Sequence, residues 1–107
     1  SYPLAEGAAA TLLFVATPND PRDPQSVQAW LQALARMHTL TGADVVIRHH
    51  RVAHEGIIQY AQQYGHDLIV LFTSQRAGFL HFLNGSVAED VVNHSPLPVL
   101  VVPFRPE

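Results

Sequence analysis

The sequence holds one dense group of potential metal ligands, His49, His50 and His54, followed by Glu55. Imidazole nitrogens and carboxylates bind zinc and nickel in proteins, so this group predicts a metal site if a turn brings the side chains together. Adjacent strand residues, however, point to opposite faces, which separates His49 from His50. No further ligand follows at a helical interval. We therefore expect no metal site and keep a histidine-metal module as a weaker alternative.

A second group of polar residues follows the apolar run at residues 68–72 and contains Thr73, Arg76 and Gly78. A guanidinium binds anions through charge-assisted hydrogen bonds, and a glycine lets a ligand approach the backbone closely. A lone loop arginine is more often a solvated charge, and Gly78 also suits a tight turn. Anion binding and a plain loop both remain open for this segment.

Gly85 and Ser86 begin the last predicted helix. Ser86 and Glu89 have the spacing of a capping box, in which each side chain accepts a hydrogen bond from the other residue's backbone N–H. Ser95 and the prolines around Leu97 end this helix, because a proline disfavours helical geometry in the residue before it. Capping therefore explains Ser86 without any ligand.

Strands and helices alternate along the whole chain. Continuous apolar runs predict strands at residues 11–16, 45–47, 67–72 and 99–102. Apolar residues at intervals of three and four predict the buried sides of three helices: Val27, Trp30, Leu31, Leu34 and Ala35, ended by Gly42; Ile57, Ile58, Ala61 and Tyr64, ended by Gly65; and Val87, Val91 and Val92. This order predicts an α/β fold with a parallel sheet, helices on both faces and a ligand site at the carboxyl ends of the strands.

From Gly56 to Val102 the chain resembles the universal stress protein family. The matching residues are IIQYA at 57–61, DLIV at 67–70, Arg76, Gly78, GSVAE at 85–89 and SPLPVLVV at 95–102. Residues 27–47 resemble the preceding helix and strand in pattern only, and the family's first strand-helix unit is not clearly present. The resemblance implies one three-layer, adenine-nucleotide alpha hydrolase-like domain over residues 1–107, with about four strands in the order 2-1-3-4.

ATP-binding members of this family carry a phosphate loop, Gly-x2-Gly-x9-Gly followed by Ser or Thr. Here Phe72 and Gln75 occupy the first two glycine positions, and only Gly85 and Ser86 remain. Side chains at these positions keep phosphate oxygens away from the backbone N–H groups, so the resemblance implies a branch without a nucleotide cofactor. The alternative is an ATP or AMP sensor. Its binding residues would be Thr73, Arg76, Gly78, Gly85 and Ser86.

Composition removes several function classes. The chain has no cysteine, and its basic residues are all arginine, which excludes thiolate and Schiff-base lysine catalysis. A net charge of -3 disfavours a nucleic-acid partner, and the apolar runs are too short to span a membrane. No nucleophile elbow or motif of paired carboxylates is present, so we expect no catalytic residue and no enzyme.

We therefore expect a cytoplasmic regulatory or accessory domain that acts through protein association without nucleotide turnover. The lack of an initiator methionine and of the first unit suggests attachment to a larger host protein, such as a transporter. The resemblance also implies a homodimer formed through the last strand, from Val99 to Val102, because this apolar strand suits pairing across a twofold axis.

Overall fold

The structure is a computed structural model that describes residues 9–37, 42–74 and 85–104. Its elements are β1 (Thr11–Ala16), α1 (Pro24–Met37), β2 (Asp44–His49), α2 (Ala53–Gln63), β3 (Ile69–Ser74), α3 (Gly85–His94) and β4 (Val99–Phe104). Both strand pairs are parallel, which confirms the predicted α/β class. The chain divides into two compact units, at residues 1–49 and 50–107.

The first unit is a strand-helix-strand unit. β1 and β2 pair in parallel from Thr11 opposite Asp44 to Ala16 opposite His49, and α1 connects them. The helix covers one face of the pair, where its buried residues Val27 and Leu31 pack with residues of β1. The predicted stripe is thus confirmed, because residues three and four apart lie on one side of a helix.

The sequence around Asp23 determines where α1 begins. The Asp23 carboxylate accepts hydrogen bonds from the Ser26 hydroxyl at 3.0 Å and from the Gln25 backbone N–H at 3.4 Å. Pro24 takes the first helical position, where its fixed φ suits the helix and its missing N–H costs nothing. Asp23 and Pro24 thus provide the cap and the first residue of α1.

The second unit packs both of its helices against one face of the β3–β4 pair. Its core cluster consists of Ala61 from α2, Ile69 and Leu71 from β3, and Ala88 and Val91 from α3. Val91 has no exposed surface. Because strand residues alternate between faces, the side chains between Ile69, Leu71 and Thr73 point away from the helices.

Two apolar residues that the sequence placed in this core are exposed instead. Tyr64 is 52% exposed because α2 ends at Gln63; Gly65 follows with a φ of +70°, as predicted for a helix terminus. Val92 is 49% exposed, because Ala88 and Val91 share the buried side of α3 and the next residue is rotated by about 100°.

Both strands of the second unit extend past their predicted ends. β3 continues to Ser74 and β4 to Phe104, so Pro103 lies within β4, opposite Thr73, instead of closing the strand. A proline fits an edge strand because its missing N–H need not join the ladder. Within residues 9–37, 42–74 and 85–104, β4 pairs with β3 alone.

The observed pairs, β1 with β2 and β3 with β4, are the outer neighbours in the predicted order 2-1-3-4. That β1 and β3 are hydrogen-bonded neighbours in one sheet stays a prediction. That the chain forms a single domain also stays a prediction. In the part of the chain that the structure describes, no helix has the length and apolar character to cross a membrane.

Candidate functional site

The end of β3 and the start of α3 hold the described residues of the predicted nucleotide site. The sequence predicts a loop at Thr73, but this residue belongs to β3. Its side chain is only 9% exposed and lies on the face that packs against the helices. The prediction of a loop position is wrong because the strand pairing continues to Ser74. Arg76 and Gly78, together with Gln75, lie outside the described residues.

Gly85 and Ser86 form the exposed first turn of α3. The helix begins at Gly85, so Ser86 lies inside the first turn and does not precede it as the predicted capping box requires. A Cβ atom added to Gly85 would meet no atom within 4 Å, so packing in the described structure does not demand a glycine there. The first turn itself contains no acidic residue.

Phe72 is the strand residue that replaces the first loop glycine of the ATP-binding pattern. It pairs with Val102 of β4, and its side chain points away from α2 and α3. Val70, two residues earlier, and its partner Leu100 lie on the same face. The exposed fractions are 41% for Val70, 38% for Phe72 and 44% for Leu100. Val102, the fourth residue on this face, is buried at 7% exposure, and we call the three exposed residues the open face of the β3–β4 pair.

A histidine cluster joins α2 to α3 in the second unit. The His54 ring lies 5.1 Å from the His94 ring, centroid to centroid, and His54 Nδ1 lies 3.7 Å from Asp90 Oδ2. Sequence reasoning singled out His54 but missed Asp90 and His94, although their spacing of four residues places both on one side of a helix. The predicted partners His49, His50 and Glu55 form no such contact with His54 among the described residues.

No group of three or more histidine or acidic side chains in the described ranges is arranged to hold a metal ion. His50 instead serves the backbone: its Nδ1 accepts a hydrogen bond from the Val52 N–H at 3.0 Å, just before α2 begins. Val52 itself provides no side-chain cap. The ring of His50 therefore satisfies the backbone N–H of Val52, the residue that precedes the helix.

An ion pair between Asp20 and Arg22 stabilises the turn that follows β1. Arg22 donates from its guanidinium to both carboxylate oxygens of Asp20, with Nε at 2.9 and 3.0 Å. The hydrogen bond from the Arg22 side chain lowers the pKa of Asp20 from its ordinary value, against the opposing effect of burial. The guanidinium carbon also lies 4.8 Å from the centroid of the Phe14 ring, a cation-π contact.

Parallel strands linked by helices define an α/β fold, which is consistent with the adenine-nucleotide alpha hydrolase-like type. The model of the universal stress protein family matches residues 4–103, and the chain belongs to that family. This confirms the resemblance and extends it toward the amino end, well beyond the motifs that carried it.

A solved structure supports the same fold. The chain is similar to the hypothetical protein MJ0577, with 25% sequence identity and a TM-score of 0.54, over 91% of this chain and 76% of that chain. No curated protein sequence gives a significant match.

Proposed function

We propose that this universal stress protein domain acts as a regulatory or accessory module through protein association, and that it does not turn over nucleotide. The observation that carries the proposal is the open face, where Val70, Phe72 and Leu100 present apolar side chains to solvent. Phe72 also stands where the family's ATP-binding pattern has its first glycine. The same residue therefore disfavours a nucleotide and supplies surface for a partner.

The steric argument rests on the backbone of Phe72 as well as on its ring. Residue 72 pairs with Val102 inside the sheet, so its backbone is part of a parallel ladder. A phosphate cradle needs unobstructed N–H groups that point at the ligand. Charge-assisted hydrogen bonds contribute about 1.5–3 kcal/mol each, so the loss of two of them weakens binding by several orders of magnitude.

The association surface that we propose begins at the last strand. Leu100 and Val101 of β4 are 44% and 39% exposed, on opposite faces of the strand. The edge of β4 away from β3 carries no partner strand within the described residues. An apolar edge strand readily pairs with a second chain, and identical chains pair about a twofold axis. We therefore propose a homodimer through residues 99–102.

We place the module in the cytosol, because a sequence without cysteine fits a reducing compartment. Its partner would be a second copy of the chain or the other domains of a host protein. In either case the apolar surface described above supplies the contact.

An adenine-nucleotide sensor is the second candidate. The observation in its favour is the space around Gly85, together with the exposed position of Ser86 in the first turn of α3. In this reading Thr73, Arg76 and Gly78 would complete the site with Gly85 and Ser86. Thr73 fits it less well than the sequence suggested, because its side chain is buried.

Isothermal titration of the chain with MgATP and with AMP tests the two candidates. We expect no measurable binding by the unaltered chain. The double variant Phe72→Gly with Gln75→Gly restores glycine at both positions and should bind more tightly than the unaltered chain. Val70→Gly is the matched control, because it removes an equally exposed side chain of β3 outside the pattern. Tight binding of MgATP by the unaltered chain would overturn the proposal in favour of the sensor.

A further inference from the structure

The residue that precedes α2 donates a hydrogen bond to a neutral histidine ring. The backbone N–H of Val52 lies 3.0 Å from Nδ1 of His50, so this nitrogen must carry a lone pair. A protonated imidazole has an N–H at both nitrogens and no longer accepts a hydrogen bond. Val52 provides no side-chain cap of its own. Protonation of His50 therefore leaves the Val52 N–H facing a second donor.

Protonation of His50 also places a positive charge next to the first turn of α2. The N-terminus of a helix carries a partial positive charge, which disfavours a nearby cation. Glu55 supplies a carboxylate in this turn, but its side chain is exposed and is screened by water. Imidazole is the side chain that changes its charge between about pH 8 and pH 5. Mild acid therefore weakens the start of α2 at His50.

The same turn of α2 contacts α3 through two stacked histidines. The ring centroids of His54 and His94 lie 5.1 Å apart, with 30° between the ring planes. Nδ1 of His94 lies 2.8 Å from the backbone oxygen of Asp90, which only accepts, so His94 donates this hydrogen bond whether it is neutral or charged. His94 also lies in the last turn of α3, where the helix dipole favours a cation. A charge on His94 is therefore compatible with its position.

A charge on His54 has less favourable surroundings. The side chain of His54 is only 19% exposed, and it lies in the first turn of α2, where the helix dipole opposes a cation. Oδ2 of Asp90 lies 3.7 Å from Nδ1 of His54 and favours the charge, but the Asp90 side chain is 50% exposed and is screened by water. One screened carboxylate does not offset two stacked cations. Protonation of both rings therefore weakens the contact between α2 and α3.

We propose that the first turn of α2, residues 53–56, is an acid-sensitive contact that packs on α3 at neutral pH and loosens in mild acid. The loss of the acceptor at His50 and the repulsion between His54 and His94 act in the same direction. The next turn carries Ile57 and Ile58, which pack against the core cluster of the second unit. Loosening of the first turn therefore exposes apolar surface that is covered at neutral pH.

Amide hydrogen exchange of the full chain, followed by NMR, tests the proposal. The reporter is the N–H of Gly56, which donates to the Val52 oxygen at 3.1 Å and is the first backbone hydrogen bond of α2. We expect its protection factor, corrected for the intrinsic effect of pH on exchange, to fall about tenfold from about pH 7.5 to about pH 5.5. The N–H of Val27 is the internal control, because it makes the same bond to Asp23 in α1, where no histidine is near in sequence. Its protection factor should stay unchanged.

Variants assign the effect to the two groups of histidines. His50→Asn keeps an acceptor for the N–H two residues later but does not titrate, and His94→Gln removes one of the stacked charges. We expect each variant to lose part of the acid effect and the double variant to lose nearly all of it. His66→Gln is the matched control, because His66 lies in the same unit with its ring against Tyr60, and it should keep the full effect. Circular dichroism at neutral pH confirms that each variant folds.

Three results would overturn the proposal. The first is a protection factor of Gly56 that is the same at both pH values. The second is an acid effect that the double variant retains, since it would then come from other groups. The third is an equal loss of protection at Val27, which would indicate that acid destabilises the whole chain. None of these results depends on whether the domain acts through association or as a nucleotide sensor.

Discussion

The guanidinium of Arg22 binds both carboxylate oxygens of Asp20, two residues earlier in the turn after β1. The side chain of Asp20 is only 11% exposed, and the backbone N–H of Arg22 adds a further hydrogen bond at 3.0 Å. This pair fixes a segment that is rich in proline and lacks regular structure. It also connects the turn to the core, because Arg22 lies over the ring of Phe14.

The Asp20–Arg22 pair predicts that acid destabilises the fold. The pKa of Asp20 is lowered in the folded chain, chiefly by the hydrogen bond from the Arg22 side chain. Its contribution is therefore complete above the ordinary carboxyl pKa and is lost as the pH falls through the lower folded value. Urea unfolding between about pH 5 and pH 2 should show a smaller loss of stability in Asp20→Asn than in the unaltered chain.

Asp67→Asn is the control for this experiment, since it removes the same charge from an exposed position of the second unit. An Asp20→Asn variant with the full acid sensitivity of the unaltered chain would contradict the prediction. At neutral pH, Arg22→Ala should cost about 1–3 kcal/mol, because it removes the guanidinium donors of the largely buried carboxylate and leaves only the backbone N–H of residue 22.

Two adjacent valines of α3 should differ sharply in their contribution to stability. Val91→Ala removes methyl groups from a fully buried position and leaves a cavity in the core of the second unit, at a cost of about 2 kcal/mol. Val92→Ala trims a side chain that is 49% exposed and should stay within about 0.5 kcal/mol of the unaltered chain. Chemical unfolding measures both. Equal losses would mean that the two residues are buried alike.

The valine pair shows where sequence patterns stop being informative. Apolar periodicity predicted the helices because a core-facing side of a helix requires it, and it correctly selected Val27, Leu31 and Ala61. It also selected Tyr64 and Val92, which are exposed. Periodicity identifies the side of a helix that faces the core, but it leaves an uncertainty of about one residue at the borders of that side. Which of two neighbouring apolar residues is buried depends on the exact packing of the partner element.

Strand ends and contacts between distant residues were harder to predict for a different reason. The sequence around Pro103 and around Thr73 predicts a loop at each residue. Both nevertheless extend a strand, because they lie opposite each other in the β3–β4 pair. His54 and Asp90 are far apart in sequence, and only the packing of α2 against α3 makes them neighbours. Propensity describes a residue's own preference, whereas pairing and helix packing are set by the fold.

Replacing Gly65 and Gly85 by alanine should have opposite effects on stability, because only Gly65 has a backbone conformation that favours glycine. Gly65 has a φ of +70°, a region that L-residues enter at a cost, so Gly65→Ala should lower stability by about 1–2 kcal/mol. Gly85 lies in the first turn of α3 with open space around it, so Gly85→Ala should raise stability by about 0.4–1 kcal/mol through the unfolded state. Thermal unfolding measures both variants. If Gly85→Ala lowered stability, the added methyl group would have to clash with atoms near the start of α3.

The association proposal predicts that β4 carries the dimer contact. Leu100→Glu and Val101→Glu place a charge on the exposed surface of the last strand, and burying either charge in an interface would be strongly unfavourable. Sedimentation equilibrium should therefore show a dimer for the unaltered chain and a monomer for each variant. Val92→Glu is the matched control, because this apolar residue of α3 is equally exposed but lies outside the strand. If the unaltered chain is monomeric, or if Val92→Glu dissociates it as readily as the strand variants do, the contact is not at β4.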